Sequence, residues 1–267
     1  MLPIKEVTTQ LAREDGVLVT VEATKGSVPR ERGAWMVVFG GRVVQTIGGG
    51  HLELQAIEEA RRRLAGAGGD PVLRFPLGPA LGQCCGGVVH LRFDKLSAAD
   101  AVSLPQRLRQ GDTPVALFGG GHVGRAIVNV LGTLPFAVTW IDSRDEIFPP
   151  QVPDNVACEH SDPVQAAVAD LAPGSRVLVM SFSHAEDLDI VAACLKRLRA
   201  RDDLPYVGLI GSRTKWATFR HRLEERGFGE EDFARVTCPI GVPGIRGKEP
   251  EVIAVAVAAQ LLQLPLS

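Results

Sequence analysis

Three glycines at positions 119, 121 and 124 constrain the fold of this chain more than any other feature of its sequence. They follow the apolar run 115–118 (VALF) at once and lead into a stretch with helical character. In the spacing G-x-G-x-x-G, glycine allows a tight turn, close approach of the backbone to a phosphate, and close packing of helix on strand. Gly119, Gly121 and Gly124 are therefore predicted to form a cofactor-binding turn between a buried strand and a helix.

Further apolar runs follow this turn and alternate with intervals of helical character. They occupy residues 137–142, 176–180 and 206–211. Strands that alternate with helices favour a parallel sheet covered by helices on both faces. Residues 113–267 are therefore predicted to form a Rossmann-like domain.

The N-terminal part of the chain has a different pattern. Residues 16–24 (GVLVTVEAT) and several later short runs predict strands, a Gly-Gly turn predicts a hairpin, and residues 51–64 have the apolar spacing of a helix. We assign residues 1–95 to a small α+β domain and the polar segment 96–112 to a linker. The predicted fold class is α/β, with a small N-terminal α+β domain followed by a Rossmann-like parallel-sheet domain.

Two side chains near the first glycine turn are predicted to contact its ligand. Asp142 ends the next strand about 20 residues further on, where a carboxylate can hydrogen-bond ribose hydroxyls. His122 lies inside the turn and can direct its imidazole at a ligand, while the N–H groups at the start of the helix attract an anion. In the alternative interpretation the turn serves packing alone and Asp142 only caps it.

A second glycine-containing turn occurs at residues 208–213 (GLIGSR). Ser212 is a candidate cap for the following helix, and Arg213 and Lys215 lie in its first turn. Cations at that position are unfavourable against the helix dipole, which makes sense if they face an anionic ligand or a carboxylate. Gly211, Ser212 and Arg213 are therefore candidate cofactor-binding residues. The alternative is that the cations are solvated surface residues.

Cys84 and Cys85 stand side by side in a glycine-rich segment. A thiolate suits a soft partner such as a thiophilic metal centre or a sulfane sulfur, so the pair is a candidate cofactor and metal contact. The alternative is that both are small buried hydrophobic residues. The other cysteines stand alone, no zinc-ligand spacing occurs, and the histidines form no catalytic triad. No catalytic residue is predicted.

Charge and cysteine content limit the partners and the location of the protein. With 29 basic and 31 acidic residues the net charge is −2, which provides no broad electrostatic footprint for nucleic acid or an anionic membrane. No apolar run approaches the roughly 20 residues that span a bilayer, and the first residues lack an apolar signal segment. Five cysteines without framework spacing do not indicate a secreted disulfide scaffold. We therefore expect a cytoplasmic protein without nucleic-acid or membrane partners.

Several of these segments, taken together and in order, carry a resemblance to a known family. They are Gly26-Ser27 with Pro29-Arg30, Ile47–Gly50 with Leu52-Glu53, Gln83–Gly87, Phe118–Gly124, Asp142–Arg144 with Phe148-Pro149, Gly208–Arg213 with Lys215, and Cys238–Gly241. The chain resembles the XdhC/CoxI family of accessory proteins that mature molybdenum hydroxylases such as xanthine dehydrogenase. The resemblance covers nearly the whole chain. The chain departs from the family at 140–141, where members are more uniformly aliphatic, and at 248–251, which lacks a threonine before the proline.

The resemblance implies a chaperone of the molybdenum cofactor (molybdopterin). Such a protein binds the cofactor, holds it while a cysteine desulfurase exchanges an oxo ligand for sulfur, and passes it to apo-xanthine dehydrogenase. The resemblance further implies that Cys84 or Cys85 approaches molybdenum, that the glycine turns hold the phosphate of the pterin, and that the protein is a homodimer. A protein of this kind acts by binding and transfer, not by turnover.

Two other functions are compatible with the same residues. The chain can be an NAD(P)-dependent oxidoreductase that uses Gly119, Gly121, Gly124 and Asp142, although no proton donor is placed to serve hydride transfer. It can also be a sulfurtransferase that carries a persulfide on one of the paired cysteines. Bound pterin, a bound dinucleotide, or a mass gain of one sulfur on a cysteine distinguishes the three functions.

Overall fold

The computed structural model describes residues 3–77, 86–109 and 111–265, so Cys84 and Cys85 lie outside the described residues. The chain divides into two compact units, residues 1–108 and 109–267. Residues 98–101 form a 3₁₀ turn and residues 104–108 a short helix. Both lie in the first unit, within the segment that the sequence-based division assigns to a linker.

The first unit contains an antiparallel sheet with the strand order β3-β2-β1-β5-β4. This arrangement confirms the predicted α+β character of the N-terminal part. The elements are α1 (Pro3–Leu11), β1 (Gly16–Lys25), β2 (Trp35–Val38), β3 (Val43–Gln45), α2 (Gly50–Leu64), β4 (Val72–Pro76), β5 (Val88–Leu96) and α3 (Leu104–Leu108).

Helices cover both faces of this sheet, which explains the continuous apolar run in β1. Successive side chains of a strand point to opposite faces. Val17 and Val19 therefore share a buried cluster with Ala56 of α2, whereas Leu18 packs in a second cluster with Leu11 of α1. A strand buried on both sides has no polar face to present.

The second unit contains a parallel sheet with the strand order β11-β10-β9-β6-β7-β8. Its elements are β6 (Thr113–Phe118), α4 (His122–Leu131), β7 (Phe136–Asp142), β8 (Val156–His160), β9 (Arg176–Val179), α5 (His184–Arg201), β10 (Tyr206–Leu209), α6 (Arg213–Glu224), α7 (Glu230–Phe233), β11 (Val236–Thr237) and α8 (Pro250–Gln263). In the described residues, no helix is both long and apolar enough to cross a membrane.

Helices pack on both faces of the parallel sheet, as the alternation of strands and helices predicted. Ile127 of α4 and Val257 of α8 belong to the cluster on one face, and Leu188 of α5 and Phe219 of α6 to the cluster on the other. Counted within the unit, the strand order is 3-2-1-4-5-6, which is the Rossmann order. The order reverses between β6 and β9. Ligands of such sheets bind outside the carboxyl ends of the strands at this switch point.

Candidate functional site

The first glycine turn leaves the carboxyl end of β6 and starts α4. Gly119 has φ 125°, and a Cβ atom there would overlap the carbonyl oxygen of Met180, which follows β9. A Cβ atom at Gly124 would overlap the carbonyl oxygen of Gly119. These two glycines therefore allow the turn to pack against the neighbouring strand and helix.

Gly121 differs from its neighbours because it opens to solvent. It is exposed and precedes the first residue of α4, and a Cβ atom there would meet nothing within 4 Å. The first N–H groups of a helix lack intrahelical partners and attract anions. Gly121 thus leaves room for a ligand phosphate to approach the start of α4. His122, the first residue of this helix, is exposed beside it.

The carboxylate of Asp142, at the end of β7, is 2% exposed and takes its hydrogen bonds from the protein. The N–H of Gly120 donates to Oδ2 at 2.6 Å. Arg144 donates from its backbone N and from Nε to Oδ1, and from Nη2 to Oδ2, each at 2.9 Å. Burial raises the pKa of this carboxyl group, but the hydrogen bonds from Arg144 and Gly120 outweigh burial and lower the pKa overall. These contacts favour the interpretation in which Asp142 caps the turn.

A third strand end joins this network through the segment after β9. Ser143 Oγ donates to Glu186 Oε1 at 2.7 Å, and the backbone N–H of Phe182 donates to Glu186 Oε2 at 3.2 Å. The guanidinium carbon of Arg144 lies 4.5 Å from the ring centroid of Phe182. The loops that follow β6, β7 and β9 are therefore joined by side-chain contacts. The sequence analysis did not identify Phe182 or Glu186.

The second glycine turn lies after β10, at the same edge of the sheet. Ser212 caps α6 as predicted, because its Oγ accepts from the backbone N–H of Lys215 at 3.1 Å. Lys215 meets a carboxylate, one of the two partners expected for it: Nζ donates to Asp187 Oδ2 at 2.6 Å and to the carbonyl oxygen of Ile210 at 2.9 Å. Arg213 is exposed at the start of the helix.

Asp187 and two cysteines of the second unit, Cys238 and Cys194, are shielded from solvent to different degrees. The Asp187 side chain is 3% exposed and also accepts from the backbone N and the Oγ of Ser181, each at 2.7 Å. Burial raises the pKa of the half-buried Cys238 thiol, and Lys215 partly offsets this effect. Cys194 is buried, and burial raises its pKa to about 12. The thiol form is therefore favoured at both cysteines.

The first unit brings together three of the segments that resemble the XdhC/CoxI family. A Cβ atom at Gly48 would lie 2.6 Å from the Cβ atom of Pro29. A Cβ atom at Gly87 would overlap the carbonyl oxygen of Ser27 and lie 2.7 Å from that of Lys25. Gly87, two residues after Cys85, therefore packs against the same loop as the Gly48 turn.

The carboxylate of Glu53 organises the Gly48 turn, a role that the sequence analysis missed. It accepts from the backbone N–H groups of Ile47 at 3.0 Å and Gly49 at 3.1 Å, and from the hydroxyl of Thr46. Glu53 lies in the first turn of a helix that follows a run of glycines, and this position was the signal from which its role could have been predicted. Among the described residues, no group of three or more His, Cys, Asp or Glu side chains is arranged to hold a metal ion.

Taken together, these features define a two-unit α/β protein with a glycine turn at the switch point of a Rossmann-like sheet. Comparison with models of protein families identifies its family. The model described as the XdhC Rossmann domain matches residues 115–261, and the model described as the XdhC and CoxI family matches residues 10–76. The chain belongs to the XdhC family.

One curated protein and one solved structure are similar to this chain over most of its length. An uncharacterized protein of Escherichia coli (strain K12), YqeB, is 28% identical over 257 residues. The match covers 90% of this chain, which spans 42% of the length of that relative. A crystal structure described as that of a xanthine dehydrogenase from Bacillus halodurans is 18% identical, with a TM-score of 0.70 over 98% of this chain and 95% of the other. At this identity the likeness shows a shared fold.

Proposed function

We propose that this chain is an accessory protein that binds the molybdenum cofactor and delivers it to a xanthine dehydrogenase-type molybdenum hydroxylase. In this proposal it holds the cofactor while a cysteine desulfurase exchanges an oxo ligand for sulfur. Membership of the XdhC family supports the general role. The open start of α4 at Gly121 is the structural observation that carries the proposal.

The first task of such a carrier is to hold an anionic cargo without modifying it. The phosphate of the pterin would meet the N–H groups at the start of α4, where the helix dipole favours negative charge. Gly121 leaves the approach open, since a Cβ atom there would meet nothing within 4 Å. Asp142 is covered by Arg144 and Gly120, so its negative charge is compensated beside the anion.

The second task is to present the metal end of the cargo to its partners. We propose that Cys84 or Cys85 supplies a thiolate to molybdenum, because soft sulfur ligands suit a thiophilic metal. Both cysteines lie outside the described residues. Gly87, two residues after Cys85, packs closely against the carbonyl oxygens of Lys25 and Ser27.

Binding of purified molybdenum cofactor, compared with NAD(H), tests the proposal on protein freed of small molecules. We expect stoichiometric binding of the cofactor by the wild-type protein and weaker binding by Gly121→Ala. The matched control is Gly229→Ala. Gly229 also has an extended backbone conformation and directly precedes a helix. A Cβ atom there would likewise meet nothing within 4 Å. Both glycines are helix N-cap residues, where alanine is less favourable than glycine, so the two substitutions should lower the unfolding midpoint slightly and to a similar extent.

Each alternative gives a different result in the same experiment. Binding of NAD(H) without the cofactor would overturn the proposal in favour of an oxidoreductase. A stable mass gain of one sulfur on Cys84 or Cys85, without cofactor binding, would favour a sulfurtransferase. Serine variants of the two cysteines, made one at a time, should weaken cofactor binding for at least one of them.

The proposal also names the partners and the setting of the protein. Apo-xanthine dehydrogenase and a cysteine desulfurase are the expected partner proteins, the protein is expected to be a homodimer, and the expected location is the cytoplasm. Mixing the cofactor-loaded chain with the apo-hydroxylase should restore hydroxylase activity. Sedimentation measures self-association, and a monomeric mass for the loaded protein would contradict the homodimer.

A further inference from the structure

The geometry at the switch point of the second unit leads to a further inference. We propose that Phe182 and Arg144 form a stacking platform for a planar heteroaromatic ring carried by a phosphorylated ligand. The inference rests on the proposed function in that the ligand is held at the first glycine turn. It goes beyond that function by assigning the recognition of the ring to a particular pair of side chains.

The exposure of Phe182 is the first observation. The residue is 68% exposed, and it is the only aromatic one among the large hydrophobic residues that the described part of the chain leaves exposed. An aromatic ring in water gains free energy when an apolar or aromatic surface covers it. Phe182 lies beside the first glycine turn, where the sheet topology predicts that a ligand binds.

The second observation is that the Arg144 side chain and the backbone of Phe182 are held in place. Two side-chain hydrogen bonds of 2.9 Å fix the Arg144 guanidinium on the buried carboxylate of Asp142. The backbone N–H of Phe182 is fixed on Glu186, which in turn accepts from Ser143. A platform that is ordered before the ligand arrives avoids part of the entropy cost of binding.

The third observation is the geometry of the pair itself. The guanidinium carbon of Arg144 lies 4.5 Å from the centroid of the Phe182 ring, so the cation covers one face of the ring. The remaining exposed surface therefore includes the other face. Planar guanidinium and aromatic groups both stack on nucleobases and related heterocycles. The pair can thus bind a ring on Phe182, with the cation behind it.

The fourth observation connects the platform with the site for the phosphate. Asp142 accepts from Gly120 in the turn and from Arg144 in the platform. A Cβ atom at Gly119 would overlap the carbonyl oxygen of Met180, two residues before Phe182. The platform and the start of α4 are therefore adjacent at one strand edge. A ligand that carries both a ring and a phosphate, such as a pterin or a nucleotide, has the chemistry that this arrangement fits.

Binding measurements on the full chain test the platform. The probes are purified molybdenum cofactor, AMP, and ribose 5-phosphate, which has the sugar phosphate of AMP without the ring. Phe182→Ala should weaken binding of at least one ring-bearing probe by roughly tenfold or more, as loss of base stacking does. Phe182→Trp should preserve it, and ribose 5-phosphate should bind both variants equally. Val255→Ala, which truncates another exposed apolar residue of the same unit, is the control.

The outcomes separate the platform from the proposed function. If the wild type and Phe182→Ala bind the cofactor equally, and AMP binding does not depend on Phe182 either, the carrier proposal stands and the platform is overturned. AMP binding that depends on Phe182, without any cofactor binding, would support the platform and overturn the carrier proposal. Absence of binding of both ring-bearing probes to the wild-type protein would overturn the platform. An equal loss of binding for ribose 5-phosphate would also overturn it, because the effect would then not concern the ring.

Discussion

The ion pair between Lys215 and Asp187 predicts that removing either charge alone lowers the free energy of unfolding by about 1–3 kcal/mol. The two side chains are 13% and 3% exposed, and their charged atoms lie 2.6 Å apart. They join the start of α5 to the start of α6 at the strand-end edge of the second unit. We consider the variants Lys215→Met, Asp187→Asn and the combination of both.

The size of each effect follows from the partners that remain. Removing one member of a buried ion pair costs about 3–5 kcal/mol. In Lys215→Met, Asp187 keeps two hydrogen bonds from Ser181, so we expect about 2–3 kcal/mol. In Asp187→Asn, Lys215 keeps the carbonyl oxygen of Ile210 and some contact with water, so we expect about 1–2 kcal/mol. The double variant leaves no uncompensated charge, and its loss should fall short of the sum by about 1 kcal/mol or more.

Unfolding in denaturant, followed by tryptophan fluorescence, measures these free energies. The chain has three tryptophans, and a Trp35→Phe background leaves Trp140 and Trp216, which both belong to the second unit. The matched control is Asp189→Asn on the same helix. Asp189 pairs with Arg226 at 2.6 Å, but each side chain is 40% exposed. An exposed pair of this kind contributes less than about 1 kcal/mol.

Two results would refute this reasoning about the buried pair. The first is a decrease in the free energy of unfolding that is no larger in both single variants than in the control. The buried pair would then contribute no more to stability than the exposed one. The second is additive losses in the double variant, which would mean that the two charges do not interact.

Three further predictions concern the first glycine turn and the Gly48 turn. Gly119→Ala should destabilise the second unit by about 3 kcal/mol or more, because the methyl group overlaps the Met180 carbonyl at a positive φ; thermal unfolding measures this, and an unchanged midpoint would contradict it. Glu53→Ala should lower the free energy of unfolding of the first unit by about 1–3 kcal/mol, since the N–H groups of Ile47 and Gly49 lose their acceptor. Trp35 fluorescence measures this unfolding. A free energy equal to that of the wild type would show that water replaces the carboxylate. The pKa of Asp142 is lowered from its ordinary value of 3.8, so its ionised form stabilises the second unit above that pH, and this stability is lost as the pH falls through the lower folded-state pKa. The Asp142→Asn variant should lack this part of the acid sensitivity, and unfolding free energies that fall equally with pH in both proteins would contradict the assignment.

Local patterns in the sequence were enough to predict the Rossmann-like unit. The spacing of Gly119, Gly121 and Gly124 after an apolar run specifies a strand, a tight turn and a helix, and each of these is a short-range property. The capping role of Ser212 was likewise predictable, because its hydroxyl accepts a hydrogen bond from Lys215, only three residues further along the chain. Helix α1 was not predicted, since only two of its nine residues, Val7 and Leu11, are buried.

The partners of the site residues were beyond reach of the sequence, because they depend on which strand ends become neighbours. Asp142 was read as a ribose ligand or a cap, and the choice depends on the direction of Arg144, two residues away. The contact of Arg144 with Phe182 requires the loops after β7 and β9 to approach across β6. A single phenylalanine after a strand has no periodic signal that separates a ligand contact from ordinary packing.

The hydrogen bond from the Gly120 amide to Asp142 makes that amide a natural reporter of the strand-end loops. Gly120 is buried, and its N–H already has an acceptor at 2.6 Å. Its hydrogen can exchange with solvent only when the contact with Asp142 opens, so the exchange rate measures how often the loops separate. Exchange as slow as global unfolding would mean that a ligand reaches a preformed site. Faster exchange that slows on adding ligand would mean that the loops open and close around it.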